Sequence, residues 1–355
     1  MAGGSLRLPD RRQPVEPVLM PGGKFPQGSR CPPLRGNHVP GGGRPAPRSA
    51  SPFGIGLTPP PTAELAPSRT SSRHRVPRSA GYGDIGEMPG RRRLPQVRIA
   101  TWNINSVNRR LEHLTTWMAS AQPDVLCIQE TKCATADFPD LVFSGLGYES
   151  VALGSGAWNG VAIVSRVGLS DVRDNLAEQP EWEGKIEPRA IAATCGGLRI
   201  WSLYIPNGRT VDHEHYQYKL RWLGALNETA RAEMTAHRDL ALMGDFNVAP
   251  TDSDVYDIEA FRDSTHVTEQ ERAGLRLLEA GGLTEIEPRP LKYEHAFTFW
   301  DYRQLAFPKN RGMRIDLVYA TPTVAQRVTD AYSDREARKG KSASDHAPVV
   351  VDLSD

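Results

Sequence analysis

The chain has 355 residues and is almost neutral overall, with 43 Lys/Arg against 42 Asp/Glu. No apolar run approaches the length of a membrane span, and the N-terminal part lacks the apolar core of a secretory signal. The four cysteines form no CxxC pair, so the spacing of a zinc site is missing. These features exclude membrane-spanning, secreted and zinc-ribbon proteins, and they favour an intracellular protein with reduced thiols.

Composition divides the chain into two parts. Residues 1–95 hold 18 of the 29 prolines, 15 of the 32 glycines, and 15 Lys/Arg against 5 Asp/Glu, a charge of +10. Because this part is poor in apolar residues, we predict a disordered, basic, Pro/Gly-rich extension. Such an extension can attract nucleic acid or an anionic membrane without sequence preference. Alternatively, it is a solvated low-complexity leader or sequence upstream of the true start, for which Met88 is a plausible position. Residues 96–355, with 28 Lys/Arg against 37 Asp/Glu, are predicted to form one catalytic domain of charge −9.

The folded part opens with a predicted β-α-β unit. Residues 97–105 alternate as a strand and end in polar residues. The helical spacing of Val107, Leu111, Leu114 and Met118 predicts a helix, which Asn105 or Ser106 caps and Pro123 ends. Residues 124–130 form the next buried strand, so two strands of one sheet are adjacent.

After this unit the pattern is mainly that of strands. Gly196 and Gly197 predict the turn of a hairpin over 189–206, and helices are predicted over 213–236 and near 270–280. Further strands are predicted at 160–166, 239–245, 296–302, 313–320 and 347–354. Strands flanked by a few long helices predict an α+β protein, a four-layered α/β/β/α sandwich of two packed, mainly antiparallel sheets.

Polar side chains recur where the apolar strands end. The residues concerned are Asn103, Asn105, Glu130, Tyr204, Asn207, Asp245, Asn247, Asp316, Asp345 and His346. Any one of them alone has an ordinary explanation, because Asp and Asn are common in the turns that follow strands. Together they predict one cleft at a sheet edge, with the oxygen ligands that a hard divalent cation prefers.

Phosphoryl transfer is the chemistry that such a cleft can perform. Glu130, with Asn105 nearby, is predicted to bind a divalent metal that polarises a phosphate oxygen. Asp245 accepts a proton from the attacking water or aligns that water. Asn247 and His346 donate hydrogen bonds to the charge that builds on the phosphate.

Four further residues complete this hypothesis. Asp316 is the predicted carboxylate partner of His346 and should raise its pKa above ~6.5. Tyr204 steadies the leaving oxygen or binds phosphate. Arg189 and Arg209, near strand ends, are the predicted contacts to a phosphate backbone.

Seven motifs give the sequence a recognisable resemblance. They are TWNIN (101–105), QETK (129–132), LYIPNG (203–208), GDFNVAPTDSD (244–254), FTFWDYR (297–303), NRGMRIDLVYA (310–320) and SDHAPV (344–349). In these motifs and in their order, the chain resembles, over 97–353, the exonuclease III family of abasic-site DNA endonucleases. This family lies within the deoxyribonuclease I-like endonuclease/exonuclease/phosphatase superfamily. The extension 1–95 has no counterpart in it.

The resemblance implies further residue roles. Asn103 and Asp345 join Glu130 and Asn105 on the metal side, and Asn207 contacts phosphate with Tyr204 and Asn247. The residues implied to line the pocket for a flipped-out baseless sugar are Phe299, Trp300, Met313 and Ile315.

The resemblance also implies a reaction and its partners. The expected enzyme is a metal-dependent DNA repair nuclease that hydrolyses the phosphodiester 5′ to abasic sites, with 3′–5′ exonuclease and 3′-phosphatase activity. The implied cofactor is Mg²⁺, for which Mn²⁺ can substitute, and the implied partner is double-stranded DNA with abasic sites or blocked 3′ ends. We expect a monomeric protein of bacterial type that acts in the cytoplasm and makes no contact with a membrane.

Two departures and two alternatives accompany this hypothesis. Asn105 stands where some relatives have an aspartate, and Met313 stands where others have an aromatic residue. A phosphoesterase of lipid or inositol phosphates shares the GD.N and SDH motifs, and a non-enzymatic RNA-binding regulator shares the fold. The net acidic folded part is unusual for a protein that binds duplex DNA.

Overall fold

The structure is a computed structural model that describes residues 96–355. The extension 1–95, which the sequence predicts to be disordered, lies outside the described residues.

Thirteen strands and five α-helices make up the described domain. The strands are β1 (Gln96–Asn103), β2 (Val125–Gln129), β3 (Glu149–Leu153), β4 (Val161–Ser165), β5 (Ser170–Asp174), β6 (Ala190–Cys195), β7 (Leu198–Tyr204), β8 (Leu240–Asp245), β9 (Thr284–Glu285), β10 (Arg289–Pro290), β11 (Asp316–Ala320), β12 (Val328–Ser333) and β13 (Val349–Ser354). The helices are α1 (Val107–Ala121), α2 (Asp140–Gly145), α3 (Glu214–Ala236), α4 (Glu269–Ala280) and α5 (Pro322–Ala325). No helix within 96–355 has the length and apolar character needed to cross a bilayer.

The strands form two sheets. The seven-stranded sheet has the order β10-β12-β13-β1-β2-β4-β3, and the six-stranded sheet has the order β5-β6-β7-β8-β11-β9. Only β1–β2, β7–β8 and β10–β12 pair in parallel among the described strands. Each sheet therefore contains a parallel pair joined by a long helix, α1 in one and α3 in the other, surrounded by antiparallel strands.

Three apolar clusters show how the layers stack. The cluster between the sheets includes Ile99 and Val351 of one sheet and Ile200 and Met243 of the other. On the outer face of the seven-stranded sheet, α1 packs through residues such as Leu114. On the outer face of the six-stranded sheet, α3 and α4 pack through other apolar side chains. Since all three layers of contact are buried, the predicted four-layered α/β/β/α sandwich is confirmed.

Most predicted elements are present, and the differences have local causes. The hairpin turns at Gly196 and Gly197 as predicted. Residues 296–302 are not a strand; Phe299 makes only isolated bridges to Met313 and His346. Ser106 occupies the predicted N-cap position of α1, but its side chain makes no capping hydrogen bond. The missed strand β5 is exposed along its whole length, and its polar sequence gives no alternation to detect.

Candidate active site

The predicted site residues converge where the two sheets face each other. Asn103 ends β1 and Glu130 follows β2, and because these strands are parallel, their ends meet. Asp245 ends β8 beside Tyr204 of the parallel strand β7 and opposite Asp316 of antiparallel β11. The seven-stranded sheet thus supplies one side of the site and the six-stranded sheet the other.

A close approach of two strands explains the glycine that precedes Asp245. A Cβ atom on Gly244 would lie 2.0 Å from the backbone oxygen of Leu203 in the neighbouring strand β7. Only glycine allows this contact. The tight pairing fixes the end of β8 and, with it, the backbone from which Asp245 projects.

Asn103 joins the two sides. Its side chain is fully buried, and its amide nitrogen donates to Glu130 Oε1 at 2.9 Å and to Asp245 Oδ2 at 2.9 Å. Its amide oxygen accepts from the backbone N–H of Asn105 at 3.0 Å. One buried amide therefore fixes the spacing between two carboxylates from different sheets.

The metal side contains Glu130, Asn105 and Asp345. Asn105 donates from its amide nitrogen to Asp345 Oδ1 at 3.0 Å, which turns its amide oxygen towards Lys132. The Lys132 ammonium lies 2.5 Å from Glu130 Oε2 and 2.6 Å from Asn105 Oδ1. This cationic group lies between two of the oxygens predicted to bind the metal, and it marks a position suited to a cation.

The donor chemistry of this side fits a magnesium-type ion. Mg²⁺ is usually held by one or two carboxylates and keeps several waters, and Glu130 with an amide oxygen matches that need. Burial alone would raise the pKa of Glu130, but Lys132 and the hydrogen bond from Asn103 outweigh it and lower the pKa. Glu130 is therefore ionised near neutral pH. In the described part of the chain no group of three His, Cys, Asp or Glu side chains is spaced to hold an ion.

Four residues of the site have left-handed backbone. Asn105, Glu130, Lys132 and Asn247 have φ angles of 49°, 52°, 50° and 51°. Residues other than glycine adopt this conformation at a cost of about 1–3 kcal/mol each, and they cluster where a site constrains the chain. Asparagine tolerates this conformation better than glutamate or lysine, so Glu130 and Lys132 are the two positions where the surrounding contacts have to stabilise it.

His346 lies just before β13 of the seven-stranded sheet and faces two carboxylates of the six-stranded sheet. Its Nδ1 lies 2.8 Å from Asp316 Oδ2 and its Nε2 lies 3.8 Å from Asp245 Oδ2. Burial opposes the charge on His346, but Asp316 and Asp245 outweigh it and raise the pKa to about 10. Burial raises the pKa of Asp245 to about 7, with His346 opposing and Asp316 adding to the rise. The predicted His346–Asp316 pair is present, and Asp245 is suited to take up a proton near neutrality.

Two asparagine amides lie beside Asp245. The backbone N–H of Asn247 donates to Asp245 Oδ1 at 2.9 Å. Its side chain donates to the backbone oxygen of Ile205 at 3.0 Å and accepts from Asn207 Nδ2 at 3.2 Å. Asn207 and Asn247 therefore form a pair, although they are 40 residues apart in the chain.

The two predicted backbone-contacting arginines lie in different environments. Arg189 is only 4% exposed, because it pairs with Glu187 at 2.6 Å and stacks under the Tyr204 ring at 4.8 Å. This burial contradicts its predicted contact with DNA; Arg189 supports Tyr204 from behind. Arg209 is exposed next to Asn207 and stacks on Trp182 at 5.5 Å. Burial and Glu130 raise the pKa of Tyr204 well above its usual range, so its hydroxyl stays protonated.

The predicted sugar pocket divides into lining and support. A cavity of about 260 Å³ is lined by Phe299, Met313 and neighbouring residues, and the Phe299 ring lies 4.9 Å from the His346 ring. Trp300 and Ile315 are 1% and 2% exposed and belong to the core behind that wall. They differ from the prediction because Trp300 packs against Phe297 and Ala347, and Ile315 packs beside Met313 in a buried cluster.

A second hollow lies on the metal side and was not predicted. Its volume is about 500 Å³. It is lined by Asn105, Ser106, Arg109, Arg110, Lys132, Ala157, Trp158 and Tyr302. Trp158 is 76% exposed. In the sequence it lies between Gly156 and Gly160, and this lone tryptophan in a loop could have indicated the hollow. Lys219, His266 and Glu271, which also contact the site, gave no signal, because their positions read as ordinary helix and turn residues.

Comparison with known proteins places this geometry in a family. The Endonuclease/Exonuclease/phosphatase family matches residues 100–346. Exodeoxyribonuclease III of Haemophilus influenzae is 26% identical over 269 residues, covering 72% of this chain and all of that protein.

Two solved structures are also similar. A 3′-5′ exonuclease, NExo, from Neisseria meningitidis is 37% identical, with a TM-score of 0.69 over 73% of this chain and 100% of that one. A related structure of NExo, described as a 3′ phosphatase, contains a product DNA hairpin. An AP endonuclease from Archaeoglobus fulgidus is 35% identical, with a TM-score of 0.68 over 73% of this chain and 99% of that one.

These matches confirm the resemblance that the seven motifs indicated. The chain belongs to the Endonuclease/Exonuclease/phosphatase family and, within it, to the exonuclease III group of hydrolytic nucleases.

Proposed function

We propose that this protein is a metal-dependent DNA repair nuclease that hydrolyses the phosphodiester 5′ to abasic sites and removes nucleotides or phosphate from 3′ ends. The observation that carries the proposal is the bridge made by Asn103, which donates at 2.9 Å to both Glu130 and Asp245. It holds a carboxylate suited to bind a metal beside a carboxylate suited to activate water, an arrangement that can hydrolyse a phosphodiester.

Each of these side chains has a separate role in the reaction. Asp245, with a pKa of about 7, takes the proton of the attacking water. His346 stays protonated beside Asp316 and donates to the phosphate as negative charge develops. The Asn207 and Asn247 amides hold the phosphate, and the Tyr204 hydroxyl lies on the Glu130 side of it.

The proposed cofactor is Mg²⁺, with Mn²⁺ able to substitute. Glu130 and the Asn105 amide oxygen would hold it, with Asp345 orienting Asn105. When bound, the ion supplies charge stabilisation to a phosphate oxygen. Because Lys132 already contacts both oxygens, it must give way to the ion or share the site with it.

Surface features around the site support DNA as the partner. The hollow on the metal side carries Arg109 and Arg110 beside the exposed Trp158. Cationic groups follow a nucleic-acid backbone and aromatic rings stack on bases or sugars. On the opposite side, Arg209 and the cavity at Phe299 continue the surface. These local features offset the net acidic charge of the folded part.

The site should act from one chain. We propose a monomer, in which residues 103–346 of one chain supply all of the assigned groups. A nuclease of this bacterial type meets its substrate at the nucleoid, so we propose action in the cytoplasm and without membrane contact.

A narrower activity on 3′ ends is the second candidate. It is favoured by the 37% identical relative, which is described both as a 3′-5′ exonuclease and as a 3′ phosphatase. The 35% identical AP endonuclease favours internal incision as well.

A panel of four substrates with Mg²⁺ tests the proposal. The substrates are a duplex with one internal abasic-site analogue, a duplex with a recessed 3′-phosphate, an inositol phosphate and a single-stranded RNA. We expect hydrolysis of both duplexes and of neither other substrate. Hydrolysis of only the 3′-phosphate would select the narrower candidate. Turnover of the inositol phosphate alone, or RNA binding without any hydrolysis, would overturn the proposal in favour of the corresponding alternative.

A further inference from the structure

A fully buried ion pair lies behind the two phosphate-side asparagines. Lys219 of α3 and Glu271 of α4 are both 0% exposed, and the ammonium contacts Glu271 Oε1. The same ammonium donates to the backbone oxygen of Asn247 at 2.7 Å and to that of Asn207 at 3.3 Å. An ammonium has three donors, and here each of the three has a partner.

Glu271 is equally saturated. Its Oε2 accepts from the backbone N–H of Thr268 at 3.1 Å and from the Thr268 hydroxyl at 2.7 Å. Its Oε1 accepts from the backbone N–H of His266 at 3.0 Å as well as from Lys219. As the third residue of α4 it closes a capping box with Thr268. The start of a helix is thereby joined to Lys219.

The network returns to the asparagine side chains through His266. Its Nε2 lies 3.1 Å from Asn207 Nδ2 and 3.2 Å from Asn247 Oδ1. Lys219 and Glu271 therefore contact the Asn207–Asn247 pair by two routes. Lys219 binds the backbone oxygens of both asparagines. Glu271 binds the backbone N–H of His266, whose ring contacts both side chains. Asn247 needs such support because its backbone is in the left-handed region, with φ of 51°.

We propose that Lys219 and Glu271 are positioning residues, which hold the Asn207 and Asn247 amides at the spacing needed to bind the phosphate in the transition state. This inference rests on the proposed function, since the amides are assigned to phosphate there. Neither Lys219 nor Glu271 reaches the substrate, because both are enclosed. Their effect is on geometry, and misplacement by about 1 Å costs roughly 100-fold in rate.

The test compares this pair with a matched buried pair. Arg199 of β7 and Glu233 of α3 are both 1% exposed and lie 2.9 Å apart, at the opposite end of β7 from Tyr204. Lys219→Met removes one partner from the first pair and Arg199→Met removes one from the second. A double variant, Lys219→Met with Glu271→Gln, leaves no unpaired buried charge and is the form expected to fold if the single variant does not.

Three measurements are made on each variant of the full chain. They are the melting temperature, the kcat and KM on the duplex with a 3′-phosphate in Mg²⁺, and the NMR signals of the Asn207 and Asn247 side-chain amides. For the Lys219 variants we expect shifted, faster-exchanging amide signals and a kcat lowered roughly 30- to 100-fold with KM changed less than about threefold. For Arg199→Met we expect a lowered melting temperature with unchanged amide signals and kcat.

Two results would overturn the inference. One is amide signals in the Lys219 variants that match those of the wild type. The other is a kcat loss no larger than that of Arg199→Met. If the wild type hydrolyses none of the DNA substrates, the proposed function fails, and the amide signals alone still decide whether the pair positions Asn207 and Asn247.

Discussion

The two sides of the site are built differently. On the metal side, Glu130 and Asn105 face Lys132, whose side chain is 25% exposed and able to move. On the phosphate side, Asn207 and Asn247 rest on Lys219 and Glu271, which are 0% exposed. A lysine supports each side, but Lys132 is partly exposed, whereas Lys219 is fully enclosed.

This difference matches what each side has to do. A metal ion must enter and leave, so its ligands benefit from a cation that is displaced easily. The phosphate must be held while charge develops on it, and preorganised donors in a dry environment do this without reorganisation. Asn103 and His346 join the sides, so that changes at the junction should have the largest effects and changes to the exchangeable lysine the smallest.

Asp245→Asn should cause the largest loss. The variant removes the proton acceptor at the junction, and we expect kcat on the 3′-phosphate duplex to fall at least about 1,000-fold. Because burial raises the pKa of Asp245 to about 7, a neutral side chain is tolerated there and the melting temperature should not fall. Asp239→Asn, at the other end of the same strand, is the control. An Asp245→Asn rate within tenfold of that control would refute its role.

Glu130→Gln should weaken the metal side alone. The variant removes the Glu130 carboxylate, which is a proposed metal ligand. The half-saturating Mg²⁺ concentration should therefore rise about 10- to 100-fold. Titration of the rate with Mg²⁺ measures it, and Mn²⁺ binding followed without DNA provides a second readout. Glu149→Gln, on the exposed start of β3, serves as the control. An unchanged metal titration would show that Glu130 is not a ligand.

Asp316→Asn should change the pH dependence. The folded pKa of His346, about 10, lies above its usual ~6.5, so the stability from this charged pair is present below ~6.5 and lost as pH rises through about 10. Removing Asp316 lowers that pKa, so the alkaline limb of the rate should move down by roughly 1–3 pH units. The pH–rate profile and the His346 ring signals by NMR report it. A limb that stays in place would separate His346 from the reaction.

Lys132→Met should have the smallest effect and the opposite sign. If the ammonium competes with the ion between Glu130 and Asn105, its removal should lower the half-saturating Mg²⁺ concentration about two- to fivefold. Lys339→Met, which breaks an exposed pair with Glu336, is the matched control. A lower half-saturating Mg²⁺ concentration in both variants, or a higher one in Lys132→Met, would contradict this view of the metal side.

The sequence predicted the residues at strand ends better than those that support them. Asp245, Asn247 and Glu130 end or follow apolar strands, so the local sequence pattern reveals them. The contact of Lys219 with Glu271 joins residues 52 positions apart on two helices, and no periodicity reports such a meeting. Arg189 shows the converse, since a charge near a strand end looks exposed until the stacking on Tyr204 is known.

The fold was predicted in its layers but less well at its edges. Strands that are buried along their length, such as β2 and β4, leave an apolar run in the sequence. Edge strands such as β3 and β5 are half-buried or exposed and resemble loops. Residues 296–302 have the composition of a strand, but their partners are single bridges to Met313 and His346, which only tertiary packing determines.

The most direct test of the central claim is the metal dependence of DNA hydrolysis by the wild-type chain. The protein is treated with EDTA and mixed with labelled duplexes carrying an internal abasic-site analogue or a 3′-phosphate, and Mg²⁺ is then added in excess. We expect no hydrolysis before the addition and prompt hydrolysis after it. Equal rates before and after, or no hydrolysis of either duplex with Mg²⁺, would contradict a site in which Glu130 and Asp245 act together through Asn103.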